Sequence, residues 1–124
     1  MKEPKVKKVK SPEQERKDFC IATLRRASYR WSSRTQALGR ARISRGLYVC
    51  ESCKIQTKKS DIQLDHILSV IPLEGWQSWD SFIERLFCDA SGYSVLCKTC
   101  HSAKTMQENH IRRENKKKKL DNPV

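Results

Sequence analysis

The sequence predicts an α+β fold, a small module stapled by a cysteine cluster and preceded by an arginine-rich helical segment. Three observations carry this expectation. Four of the six cysteines form two Cys-x2-Cys pairs, Cys50/Cys53 and Cys97/Cys100, with 43 residues between them. Two stretches, residues 62–67 and 93–96, read as short strands, the first by strict alternation of apolar and polar side chains. Apolar residues at helical spacing occupy much of the remainder.

Along the chain, residues 1–10 and 115–124 are lysine-rich and are expected to stay disordered until a polyanion is present. Ser11-Pro12-Glu13-Gln14 reads as a helix start, with Ser11 as N-cap, Pro12 at the first helical position and Gln14 closing a capping box. Cys20, Leu24, Ala27 and Trp31 follow on one apolar stripe, leaving Arg25, Arg26 and Arg30 free to face a ligand. Ser32-Ser33 breaks the helix, and a second one is expected to run to about Arg45, with Gly46 as its stop. The helical segment is thus 11–46. Leu47-Tyr48-Val49 is a short extended entry into the first cysteine pair. Trp79, Phe82, Ile83, Leu86 and Phe87 recur on one helical face and read as core. Ser91-Gly92 is a turn before the second strand. From about Cys100 no Pro or Gly interrupts the chain until Pro123, so a last helix can run into a basic tail, residues 113–124. Cys20 and Cys88 lack partner spacing and read as buried apolar residues.

Composition narrows the function. The 124 residues carry a net charge of +12 and only 37% hydrophobic residues, so the core is small and calls for a staple. The longest mostly apolar run, residues 67–73, is about a third of a membrane span, which excludes a membrane protein. The basic N-terminus has no apolar h-region behind it, so the cysteines are expected in a reducing, cytoplasmic compartment, where paired cysteines mean metal rather than disulfide. Two such turns supply four thiolates to one tetrahedral structural Zn²⁺. That ion contributes on the order of 10 kcal/mol in zinc-finger peptides, comparable to a small domain's whole stability.

The charge is uneven. Residues 1–49 carry a net +10, residues 50–105 a net −1 and residues 106–124 a net +3. Basic arms around a neutral module suit a nucleic-acid protein, the arms supplying phosphate affinity and the middle supplying chemistry. Arg25, Arg26, Arg30, Arg34, Arg40, Arg42 and Arg45 concentrate guanidinium forks in one segment.

Asp65-His66 lies between the cysteine pairs, within Leu64-Asp65-His66-Ile67, and His101 follows the last cysteine in Cys97-Lys98-Thr99-Cys100-His101-Ser102-Ala103-Lys104. This combination, after a first Cys-x2-Cys, resembles the HNH endonuclease superfamily in its zinc-bearing bacteriophage form. The resemblance spans roughly residues 45–108, and it implies a ββα-metal motif within a zinc-stapled nuclease module, residues 47–112. His66 matches the general base that deprotonates the attacking water, a task suited to an imidazole with a pKa of about 6.5. Asp65 and His101 match the ligands of one catalytic divalent metal, with Mg²⁺ expected first and Mn²⁺ or Ni²⁺ also admitted. Lys104, one turn beyond His101, can touch phosphate, whereas His110 lies on the far side of that helix. The chain departs from the pattern at Gly92, where the family has an Asn that tethers the loop after the base, and at Thr105, which excludes a second helix histidine.

The resemblance therefore implies a DNA endonuclease or nickase cutting phosphodiesters, in the host cytoplasm if phage-encoded. Arg25, Arg26, Arg30, Arg34, Arg42 and Lys104 are expected to hold double-stranded DNA by its backbone. Its rival is a non-catalytic zinc module with a degenerate fold that binds nucleic acid or a phage or host protein.

Overall fold

The computed structural model describes residues 9–121. Its order is α1 (Pro12–Ser28), α2 (Ser32–Ala41), β1 (Arg42–Ser44), β2 (Leu47–Val49), β3 (Gln56–Lys58), β4 (Ile62–His66), α3 (Trp79–Leu86), β5 (Tyr93–Cys97) and α4 (Lys98–Asp121). The chain is thus mixed helix and small sheet. β1, β2 and β3 form an antiparallel sheet in that order, and β4 pairs with β5 in a separate antiparallel hairpin. No helix among the described residues is long and apolar enough to cross a membrane. Most of the N-terminal tail and the last three residues of the C-terminal one lie outside the described residues.

Local chemistry sets the element ends. Ser11 caps α1 by accepting from the Gln14 N–H at 3.1 Å, but the Gln14 side chain donates to Asp18 instead of closing the box. Ser78 caps α3 in the same way, accepting from the Ser81 N–H. The second helix is shorter than expected. It ends at Ala41, and residues up to Arg45 belong to a β1–β2 hairpin whose turn contains Gly46 at φ 76°. A helix stop and a tight hairpin both call for a positive-φ residue, so the glycine alone does not distinguish them.

Three apolar clusters hold the elements together. Ala41, Tyr48, Ile62 and Val95 join α2 to both sheets. Val70, Phe82 and Leu86 gather Ile21 and Leu24 of α1 against α3. Burying Phe82 and Leu86 stabilises this joint by about 1.5–3 kcal/mol per side chain. Trp79 and Ile83, expected in the core, are instead partly exposed, at 39% and 44%, and Cys20 and Cys88 are only half-buried. The third cluster is Cys50, Leu96 and Cys97, at the cysteine pairs.

The C-terminal residues expected to be disordered are instead helical as far as Asp121. One face of α4 straps the chain that leaves β4. Lys104 donates to the His66 carbonyl, Ser69 bonds to Glu108, and Arg112, Asn115 and Lys119 donate to the carbonyls of Ile71, Leu73 and Glu74. The last three contacts satisfy carbonyls of the loop that follows β4.

Candidate functional site

The first centre is the cysteine cluster. One ligand atom from each of Cys50, Cys53, Cys97 and Cys100 lies within 4.8 Å of the others, close enough to bind a single metal ion. Tetrahedral zinc with Zn–S bonds of ~2.3 Å sets sulfurs ~3.8 Å apart, and the Cys53 and Cys97 sulfurs are separated by 3.7 Å. Each pair is a turn in which the second cysteine's N–H donates to the first one's sulfur, Cys53 to Cys50 and Cys100 to Cys97, both at 3.5 Å. Lys54 at φ 67° completes the first turn, its N–H donating to the Cys50 carbonyl. Burial works against ionising Cys50, but backbone N–H donors from Cys53, Cys97 and Ser52 outweigh it and hold the thiol down to about 6. Cys100 is pushed up to about 12 by the neighbouring Cys97 and Cys53 thiol groups. A dication supplies the positive charge such a crowded thiolate set lacks, so the donors fit structural zinc.

The second centre lies at the end of β4, where strand register sorts the side chains. Asp65 is paired with Ser94 and His66 with Tyr93. Neighbours on a strand point to opposite faces, and their contacts follow. On the α4 side, Asp65 Oδ1 stands 3.7 Å from His101 Nε2, while its other oxygen takes the Lys104 ammonium. Glu108 approaches the same ammonium at 3.9 Å. On the other side, the His66 ring lies 4.8 Å from the Tyr93 ring, and its Nε2 is 3.1 Å from the Leu86 carbonyl. A carbonyl can only accept, so this bond places the proton on Nε2 and leaves the Nδ1 lone pair free in the neutral ring. Burial lowers the His66 pKa; the Leu86 carbonyl and Asp65 oppose the shift, while the positive charge of Arg34 and Arg25 adds to it.

Gly92 also has a defined place. Its carbonyl accepts from the Ile67 N–H at 2.9 Å, so backbone alone ties down the residue after His66. A Cβ there would sit 2.7 Å from the Cys88 sulfur, so the half-buried cysteine and the glycine occupy one space. Beside this tie, a cleft of about 600 Å³ is lined by Ile67, Leu68, Arg85, Cys88 and Gly92 among others.

The expected phosphate-binding residues divide. Arg34 lies against the Tyr93 ring, which in turn packs on His66, and Arg25 is exposed on α1. Arg26 turns back on Thr23 of its own helix, Arg42 bonds weakly to the Ser44 carbonyl and Arg30 is exposed. Arg40 belongs to the framework: it forks onto both Glu51 oxygens at 2.8 Å and donates to the Ala90 and Tyr93 carbonyls. Glu51 in turn accepts the Val95 N–H at 2.7 Å, fastening the first cysteine turn to β5. His110 is exposed on α4.

Sequence reasoning missed Tyr93, the Leu86 carbonyl, Glu51 and Glu108. Glu108 had a signal, since it stands one turn after Lys104 at the spacing of a helical ion pair. The Leu86 carbonyl had none, because a backbone acceptor carries no residue signature. Comparison with protein-family models, with curated proteins and with solved structures returns no match.

Proposed function

We propose that the chain is a metal-dependent HNH-type DNA endonuclease or nickase. The observation that carries the reading is the convergence of Asp65 and His101, from the end of β4 and the first turn of α4, at the strand end where the next residue, His66, has one ring nitrogen committed to Leu86. The donor pair suits a hard divalent ion: one carboxylate and one imidazole, 3.7 Å apart, leave most coordination positions to water and phosphate. Such an ion supplies Lewis-acid stabilisation of charge on the phosphate and on the leaving 3′ oxygen.

The remaining work falls to the chain itself. His66 Nδ1 takes a proton from the attacking water, while the Leu86 carbonyl keeps the ring from rotating and stabilises the imidazolium that forms. Lys104, anchored on Asp65 and the His66 carbonyl, places a cation at the phosphate. The ββα likeness gives these residues their order along the chain, and the Gly92 carbonyl takes over the tethering duty of the family Asn.

The rival reading, a non-catalytic zinc module, draws on one observation: the Lys104 ammonium already neutralises Asp65. Nicking of supercoiled plasmid at low salt, in Mg²⁺, Mn²⁺ or Ni²⁺ against EDTA, separates the two, provided zinc content shows the four-cysteine ion is retained. A nuclease gives metal-dependent nicks with 5′-phosphate and 3′-hydroxyl ends. DNA binding without nicks in any metal favours the rival.

A further inference from the structure

We propose that Arg34 is a phosphate-binding residue of the cleavage centre, holding the DNA phosphate at the end of β4 where His66 stands. The inference rests on the nuclease reading and adds to it a residue from outside the strand–strand–helix unit.

Position comes first. Arg34 stands in the first turn of α2, and its Cζ lies 5.0 Å from the Tyr29 ring centroid and 5.7 Å from that of Tyr93. Tyr93 is the ring that lies 4.8 Å from His66. The two tyrosine rings hold the guanidinium by cation–π contact, and one of its N–H groups also donates to the Tyr93 hydroxyl, which leaves the remaining N–H groups available to an acceptor.

Charge comes second. Arg34 is half-buried, yet among the described residues neither it nor Arg25 has a carboxylate partner. The contrast is on the same helix, where the Arg40 guanidinium is neutralised by both oxygens of Glu51. A guanidinium cannot escape burial by losing its proton, so a half-buried, unpaired one is stabilised by an incoming anion. A phosphodiester offers two non-bridging oxygens, which match that fork. Positive groups then flank the β4 end on two sides, Lys104 at Asp65 and Arg34 at Tyr93.

The test compares wild type, Arg34→Gln and Arg34→Lys as zinc-loaded full chains in Mg²⁺ plasmid nicking, with gel-shift affinity, melting temperature and zinc content measured in parallel. Loss of a fork that meets charge developing in the transition state lowers kcat by roughly 10²–10³-fold, while the salt slope of binding falls by about one. Arg34→Lys recovers part of the rate. A folded Arg34→Gln that nicks at the wild-type rate overturns the inference. A second measurement needs no variant: inorganic phosphate is titrated into wild type without Mg²⁺, and the Arg34 Nε–H resonance is followed. A saturating shift supports the subsite, and an unmoved resonance overturns it. A wild type that shows this shift but nicks in no metal overturns the nuclease reading and leaves the anion subsite standing.

Discussion

Replacing Arg40 by Ala removes a joint on which both centres depend. The side chain makes two charged hydrogen bonds to Glu51 at 2.8 Å and donates to the Ala90 and Tyr93 carbonyls at 3.0 and 2.9 Å. Its side chain is 40% exposed and that of Glu51 31%, so water screens the pair, and the bidentate contact contributes about 1 kcal/mol. The two carbonyl contacts add about 0.5–1 kcal/mol each after the same discount. The sum is a destabilisation of about 2–3 kcal/mol, or a fall in melting temperature of roughly 6–15 °C for a domain of this size. Glu51→Ala costs a similar amount, because the Val95 N–H loses its acceptor. Urea unfolding of the zinc-loaded proteins at pH 7.5, with the double variant closing the cycle, measures the coupling, which is expected near 1 kcal/mol. Both single variants within 0.5 kcal/mol of wild type would refute this account of how the first cysteine turn is fastened to β5.

Three further outcomes are expected. Stripping zinc from Cys50, Cys53, Cys97 and Cys100 with a chelator removes on the order of 10 kcal/mol, as much as a small domain's stability, so far-UV circular dichroism should report unfolding; an unchanged spectrum would show that the apolar clusters suffice alone. Gly92→Ala forces a Cβ to within 2.7 Å of the Cys88 sulfur and 2.9 Å of its Cβ, and overpacking of this kind costs about 1–3 kcal/mol in urea unfolding, whereas wild-type stability would mean the turn yields. The His66 pKa is lowered, chiefly by burial, so the neutral base persists to more acid pH than a free imidazole; the acid limb of kcat/KM for nicking then falls below about pH 6.5, and a limb above that value would contradict the environment described for the ring.

Legibility in the sequence followed how local each constraint is. The cysteine pairs were visible because chelation by a tight turn needs two cysteines three positions apart. β4 was visible because a half-buried strand alternates, and α3 because Phe82 and Leu86 fall on one helical face. The β1–β2 hairpin was not, since Arg42, Ile43 and Ser44 are all exposed and leave no alternation. The extension of α4 through its lysines was hidden because polar contacts to loop carbonyls hold it, without an apolar stripe. At the candidate site, Asp65, His66 and His101 could be singled out as residues through a family likeness. What surrounds them could not: the Leu86 carbonyl and Tyr93 reach His66 only once β5 is in register with β4 and α3 is packed against the hairpin. The arginines show the same division. Arg34 and Arg40 are six positions apart on one helix, yet only the fold gives Arg40 a carboxylate and sets Arg34 against Tyr29 and Tyr93.

The most direct test of the central claim is nicking of supercoiled plasmid by His66→Ala beside wild type, both zinc-loaded, in Mg²⁺ at low salt, with gel-shift affinity measured on the same preparations. Wild type is expected to nick in a metal-dependent way and the variant to lose nicking while its DNA affinity is retained. A variant that still nicks at the wild-type rate would contradict the assignment of His66 as the base, and a wild type that binds DNA without cutting it in any divalent metal would contradict the nuclease itself.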